Sequence, residues 1–241
     1  MLEKTRGIVL HQIKYSDSSV IIHCYTEKFG RRSLMISGVH SRKSSAKAAL
    51  FQPLSLLEME IYFREKRDIH RIKEARTTIP FTSLPFDIVR SSMALFVAEL
   101  LYKTLKEEKG EPELFEFLYS SVHFLDAAED GVANFHLIFM AHYIRFMGFY
   151  PDMNSYVPGA WFDMRTASFN LKKPLHRDVF PPDHTKIFTH LLTLPVSRMA
   201  ELSLSTKLRN ALLEDMIKFY QAQQEGITDF KTYPILREIF S

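Results

Sequence analysis

The chain of 241 residues holds a single cysteine, Cys24, with only 8 glycines and 11 prolines. One cysteine rules out an internal disulfide framework and any zinc site built from several thiolates. It also suits a reducing compartment. The low glycine and proline content excludes collagen-like and low-complexity chains. Long hydrophobic runs are missing too. The longest stretch without a charged side chain, 131–144, is too short to cross a bilayer and contains His136 and His142. The opening Met1-Leu2-Glu3-Lys4-Thr5-Arg6 lacks the apolar centre of a signal peptide. A soluble cytoplasmic protein is expected. Catalytic signatures are absent as well: no G-x-S-x-G, no Walker A loop, no G-x-G-x-x-G and no H-E-x-x-H. The expectation is therefore a protein that is not an enzyme and uses no cofactor or metal.

The composition is 46% hydrophobic and 24% charged, ordinary for a globular chain. The net charge of +3 conceals an uneven distribution. Residues 1–80 carry 15 Lys and Arg against 8 Asp and Glu, whereas 81–241 carry 16 against 20. A basic first third attracts polyanions through its field and through counterion release. The plain alternative is solvated surface charge.

Residues 5–76 read as short strands. Gly7–Ile13 is the first, and Ser19–Thr26, rich in β-branched and aromatic residues, is the second. Glu27–Arg31 makes a hairpin loop in which Gly30 supplies the positive φ. Arg32–Gly38 is the third strand. In the fourth, Leu54–Phe63, Leu57, Met59, Ile61 and Phe63 alternate with Glu58, Glu60 and Tyr62, the period of a half-buried strand. Ile69–Arg76 is the fifth, after the charged turn Arg64–Asp68. Five short strands in so few residues fit a small barrel. After Ile79-Pro80 the apolar spacing turns helical: Val89, Met93, Phe96, Val97, Leu100, Leu101 and Leu105 recur at three and four. Further helices are expected from Pro112 to about Ala128, over 134–148, at about 183–193 and 206–224, and after Pro234. The 134–148 helix is apolar on most sides and should be central. The proline-bearing stretch 149–182 reads as irregular.

One chemical signal stands above background. Arg31, Arg32, Arg42, Lys43 and Lys47, with Lys14 nearby, fall on a hairpin end and an adjoining loop of the barrel. Guanidinium forks, ammonium groups and the hydroxyls of Ser41, Ser44 and Ser45 suit phosphate. Tyr15 is the best placed aromatic for stacking on unpaired bases, whereas Phe51 reads as core. His136 and His142, six apart, do not share a helical face at zinc-ligand spacing and read as core or groove histidines. Asp126, Glu129 and Asp130 read as a solvated helix end rather than a metal cluster. Cys24 reads as a buried structural thiol.

The segments Gly7-Ile8-Val9-Leu10, Tyr15-Ser16-Asp17-Ser18-Ser19 and Tyr25-Thr26-Glu27-Lys28-Phe29-Gly30 resemble the start of the RecO family of DNA-repair mediators. The likeness continues through Gly38–Ser44, Leu50–Leu54, Glu99–Leu101, Phe135–His142, Gly148–Pro151 and Phe230–Arg237. The resemblance implies an α+β fold: a five-stranded OB-fold barrel over 1–80, then an all-helical C-terminal domain over 81–241. It implies a non-enzymatic role in DNA repair and homologous recombination. Such a protein binds ssDNA and dsDNA and anneals complementary strands. With RecR, it helps RecA replace the single-stranded-DNA-binding protein, whose acidic C-terminal tail it contacts. A nucleoid-associated cytoplasmic location follows. Arg31, Arg32, Arg42 and Lys43 fall on the family's basic hairpin and loop, and Arg145 is a candidate for the acidic tail. Many members carry a four-cysteine zinc site in the segment that corresponds to 152–173. This chain has no cysteine there, and packing by Trp161, Phe162 and Phe169 is expected to hold the segment instead. Two other readings stay open: a protein-binding adaptor with a degenerate barrel and little DNA affinity, and an enzyme built around the His136/His142 helix.

Overall fold

The computed structural model describes residues 1–17, 19–37, 49–106 and 109–239. Strands β1 (Leu2–Lys14), β2 (Ser19–Thr26), β3 (Gly30–Ser37), β4 (Leu56–Tyr62) and β5 (Ile69–Thr77) close into a barrel in the order β1-β2-β3-β5-β4. Antiparallel ladders join all neighbours except β3 and β5, which run parallel with Ser33 opposite Ile69 and Met35 opposite Arg71. This is the order of an OB barrel. β1 is longer than its apolar stretch suggests because it serves two neighbours. Its first half pairs with β4 and its second half with β2. A bulge between Val9 and His11 bends it where it changes partner. Leu54, in the left-handed region at φ 63°, donates its N–H to the Val9 carbonyl at 2.7 Å and fixes that bend.

The period-2 pattern lands as read. Val9, Val20, Ile22, Cys24, Leu34, Phe51, Leu57, Met59, Ile61 and Ile72 fill the barrel. Gly30 turns the β2–β3 hairpin at φ 66°. Cys24 is fully buried, and burial pushes its thiol far above the usual range, so it carries no nucleophilic thiolate.

Two helices belong to the same compact unit as the barrel, Met1–Ala127. α1 (Ile88–Thr104) starts at Asp87, whose carboxylate accepts from the Val89 and Arg90 N–H groups. α2 (Pro112–Ala127) has proline in its first turn. Gly110, between them in sequence, comes so close to the β2–β3 hairpin that a Cβ on it would lie 2.0 Å from the Glu27 carbonyl oxygen. Asp126, near the end of α2, is buried. It accepts hydrogen bonds from the N–H groups of Thr82, Ser83 and Leu84 and from the Thr82 hydroxyl. Burial raises its pKa, but those donors outweigh it and leave the carboxyl below its ordinary range. Asp126 is thus neither a metal ligand nor part of a solvated helix end. It clasps the segment that leads from the barrel into α1.

The second unit, Ala128–Ser241, contains α3 (Phe135–Met147), α4 (Pro182–Thr193), α5 (Thr206–Gln223) and α6 (Tyr233–Ile239). α3 is buried along most of its length, as its composition predicts. The stretch 149–182 is more ordered than expected. It carries a three-stranded sheet, β7-β6-β8, formed by β6 (Trp161–Asp163), β7 (Ser168–Asn170) and β8 (Val179–Phe180). Strands of two or three residues show no period, so sequence pattern misses them. Phe162 lies 5.0–5.3 Å from the rings of Phe169, Phe180, Phe188 and Phe219 and anchors the sheet on α4 and α5. Trp161 is only half-buried and lies under the Lys173 ammonium. Among the described residues no helix is long and apolar enough to cross a membrane.

Candidate nucleic-acid interface

The outer surface of the barrel has two unlike sides. Where β1, β4 and the later part of β5 adjoin, the cations Lys4, Arg6, Lys73 and Arg76 are matched with carboxylates. Glu60 holds Lys73 at 2.9 Å and Lys4 at 3.4 Å, and Arg76 meets Glu58 at 2.5 Å. Arg6 forks onto Glu27 at 2.8 and 2.9 Å and also bonds Glu116. Lys4, Arg6, Glu27, Glu58, Glu60 and Arg76 line a concavity of about 400 Å³ with Glu74. A surface neutralised in this way offers little to a polyanion.

The β2–β3 side differs. Ile13, Ile21, Met35 and Arg71 stand in one register row across β1, β2, β3 and β5. Ile13 is 44% exposed, and Ile69 beside the row is 40% exposed. Tyr15 stands out at 63% exposure on the β1–β2 turn, next to Lys14, which meets the exposed Asp17 at 3.7 Å. Arg71 and Arg67, the latter on the β4–β5 loop, pair with no carboxylate among the described residues. This side combines apolar contact area, an exposed ring and guanidinium groups.

Among the described residues, the sequence-predicted cations of the barrel, Arg31, Arg32 and Lys14, do not form one cluster. Arg31 and Arg32 sit at the Gly30 end of β3. The chain leaves β3 at the other end, at Ser37, which pairs with Ser19 beside the Lys14–Tyr15 turn. At a rise near 3.3 Å per residue the two ends are about 20 Å apart. Arg42, Lys43 and Lys47 lie outside the described residues.

Arg31 and Arg32 also project to opposite faces of their strand. Arg31 turns outward onto the last turn of α1. Its Nη1 donates to the carbonyls of Tyr102 at 2.9 Å and Leu105 at 2.6 Å, and its guanidinium lies 4.6 Å from the Tyr102 ring. It satisfies carbonyls that a helix C-terminus leaves open. Arg31 is therefore first a fastener of the barrel to α1. Arg32 donates to the Arg31 carbonyl at 2.9 Å. Burial and the nearby Arg32 charge lower the pKa of His70, which stacks on Phe63 at 4.7 Å.

Arg31 and Arg32 share a cleft of about 420 Å³ with His23, Ser33, Glu65, Arg67, Asp68 and Lys106. Sequence reading missed Arg67, Lys106 and Arg71. Arg67 was hidden in a turn of mixed sign, and Lys106 at the end of a helical run. Only the parallel β3–β5 pairing, which no local pattern encodes, sets the β4–β5 loop beside Arg31.

In the second unit, Arg145 is exposed at the end of α3. It donates to the Leu192 carbonyl at 3.1 Å and lies 5.3 Å from the Tyr150 ring. His136 is fully buried, and burial followed by the Arg209 charge holds its pKa down to about 3. His142 is lowered by burial and by Arg145. No group of three or more metal-ligating side chains occurs among the described residues.

Residues 1–81 match the family model described as Recombination protein O N terminal, and 85–228 match Recombination protein O C terminal. The chain belongs to the RecO family. The gap between the two matches, 82–84, is the segment that Asp126 clasps. Curated relatives agree over their full length. The DNA repair protein RecO of Phocaeicola vulgatus is 39% identical, and that of Bacteroides fragilis 38%, each over 241 residues and the whole of both chains. The one from Flavobacterium psychrophilum is 33% identical over 99% of both chains. The RecO family is a family of DNA repair mediators, and this chain carries its barrel and its helical C-terminal region.

Proposed function

We propose that this RecO-family chain binds ssDNA and dsDNA on the β2–β3 side of its barrel and anneals complementary strands without nucleotide hydrolysis. Lys14, Arg71, Arg67 and Arg32 meet the phosphates, Tyr15 stacks on an unpaired base, and the 38–48 segment adds Arg42, Lys43 and Lys47. Partial charge neutralisation lets a second strand approach the first. Backbone contact and stacking carry no base code, so the binding is largely indifferent to sequence. Together with RecR, the protein helps RecA replace the single-stranded-DNA-binding protein on coated DNA. The acidic tail of that protein docks on the second unit, where Arg145 offers an exposed cation beside Tyr150.

The observation that carries the reading is the contrast around the barrel. Carboxylates neutralise Lys4, Arg6, Lys73 and Arg76, whereas Arg67 and Arg71, next to β3, have none among the described residues. The test is a fluorescence annealing assay with complementary strands coated by the cognate single-strand-binding protein. Faster annealing without nucleotide supports the reading. Annealing at the rate of the uncatalysed strands, with peptide-tail binding intact, would instead identify a protein adaptor.

A further inference from the structure

The loop 171–178 joins β7 to β8 in the second unit. It holds two leucines that the core does not use. Leu171 is 73% exposed and Leu175 is fully exposed. Cations stand between and beside them: residues 164–177 contain Arg165, Lys172, Lys173 and Arg177 and no Asp or Glu. The two carboxylates that flank this stretch are engaged by other groups. Asp163 meets His176 Nε2 at 3.1 Å and accepts from the Arg165 N–H, and Asp178 accepts from Arg165 Nε at 2.7 Å. Lys172 and Arg177 are exposed and meet no carboxylate among the described residues. Lys173 lies 5.0 Å from the ring of Trp161, the only tryptophan of the chain. The same bonds pin the loop. The Met164 N–H donates to the Asp178 carbonyl at 3.0 Å, and His176 ties the residue after Leu175 back to β6. A single exposed leucine needs no explanation, but two of them on a pinned, purely cationic loop mark a contact surface.

We infer that this loop seats on the surface of an anionic membrane, with Leu171 and Leu175 entering the headgroup boundary and Lys172, Lys173 and Arg177 meeting lipid phosphates. The charge selects the partner. A second copy of the loop would set like charges against each other. A nucleic-acid strand would leave both leucines in water, since aliphatic side chains do not stack on bases. Peptide-docking sites are grooves that receive the partner's side chains, whereas here the leucines project. A lipid surface takes projecting apolar side chains and pairs with the cations around them. Trp161, with one face under an ammonium group, has the amphipathic character of a ring at such a boundary. The inference is independent of the DNA-binding reading.

The experiment sediments the full chain with vesicles of equal parts phosphatidylcholine and phosphatidylglycerol, against vesicles of phosphatidylcholine alone. Trp161 is the internal probe, read by its quenching with brominated lipid. The wild type should sediment with the anionic vesicles only, and Trp161 should be quenched there. The double variant K172S/K173S should bind about 25-fold more weakly, at about fivefold for each cation removed. L171S/L175S should bind about tenfold more weakly. All four side chains are exposed, and melting temperatures check that both variants are folded. R67A/R71A, on the barrel, should keep the Trp161 quenching. A wild type that does not sediment overturns the inference, as does sedimentation without quenching. Wild-type affinity in either loop variant, or quenching lost in R67A/R71A, also overturns it. A Trp161 response to the acidic tail peptide of the single-strand-binding protein, with none to vesicles, overturns it too and makes the loop a protein-docking site. None of these outcomes bears on strand annealing.

Discussion

Replacing Arg31 separates a structural role from a DNA-binding one. Its Nη1 serves the carbonyls of Tyr102 and Leu105 at 2.9 and 2.6 Å, and its guanidinium lies 4.6 Å from the Tyr102 ring. Hydrogen bonds to a charged group contribute about 1.5–3 kcal/mol each when well shielded. Arg31 is half-buried, so about 1 kcal/mol apiece is the appropriate figure, with about 0.5–1 kcal/mol more from the ring contact. Arg31→Ala should cost about 2–3 kcal/mol in total. For a chain of this size that lowers the melting temperature by about 5–10 °C. Arg31→Lys keeps the charge but not the fork, and should lose about half as much. Differential scanning fluorimetry measures both shifts, and hydrogen exchange at the end of α1 should show faster opening. The salt slope for single-stranded DNA should be nearly unchanged in the lysine variant. A full-sized slope change in Arg31→Ala with no loss of melting temperature would refute the fastening role and return Arg31 to the phosphate contacts.

Two further predictions concern stability. Asp126→Asn removes a charge that four donors of Thr82, Ser83 and Leu84 address, and should cost about 2–4 kcal/mol by thermal or urea unfolding. Because the folded pKa is lowered, the wild-type contribution is complete above the ordinary aspartate range and fades as pH falls through the folded value. The variant should lack that acid-side slope. His136, held neutral with its pKa down to about 3, acts in the same direction over a higher window. Its stabilisation is complete above about pH 6.5 and is lost progressively as the unfolded chain takes up the proton, about 2 kcal/mol by pH 5. His136→Leu should flatten the stability profile between pH 5 and 6.5, as read by urea midpoints across pH. An unchanged profile would contradict a buried neutral imidazole.

Much of the architecture was legible because burial imposes a period. Leu57, Met59 and Ile61 announce a strand with one wet face, and they line the barrel. The Val89-to-Leu105 spacing and the apolar 134–148 stretch announce α1 and α3 in the same way. Residues 2–6 were not legible as strand. Lys4 and Arg6 carry no apolar alternation and are held by cross-strand pairing to β4. Nor were β6 to β8, whose order comes from Phe162 meeting aromatic rings far away in sequence.

The site was legible as a charge excess but not as a place. Arg31 and Arg32 are adjacent in sequence, yet the pleat sends them to opposite faces. One of them is taken up by α1. Arg67 comes beside them only through the parallel closure of β3 on β5, a contact between residues more than thirty apart. Asp126 had the residue type of a metal ligand, and its backbone N–H partners assign it to the fold. Residue type names the chemistry available, and topology decides which groups meet.

The central claim is that DNA lies on the β2–β3 side of the barrel. Its most direct test compares two double variants in the salt dependence of single-stranded DNA binding. Arg67→Ala with Arg71→Ala removes from that side two cations that meet no carboxylate among the described residues, and Lys4→Ala with Lys73→Ala removes two from the carboxylate-paired side. The account predicts a slope shallower by about 1.4 in the first pair and no change in the second. Equal changes in both, or a change only in the second, would contradict it.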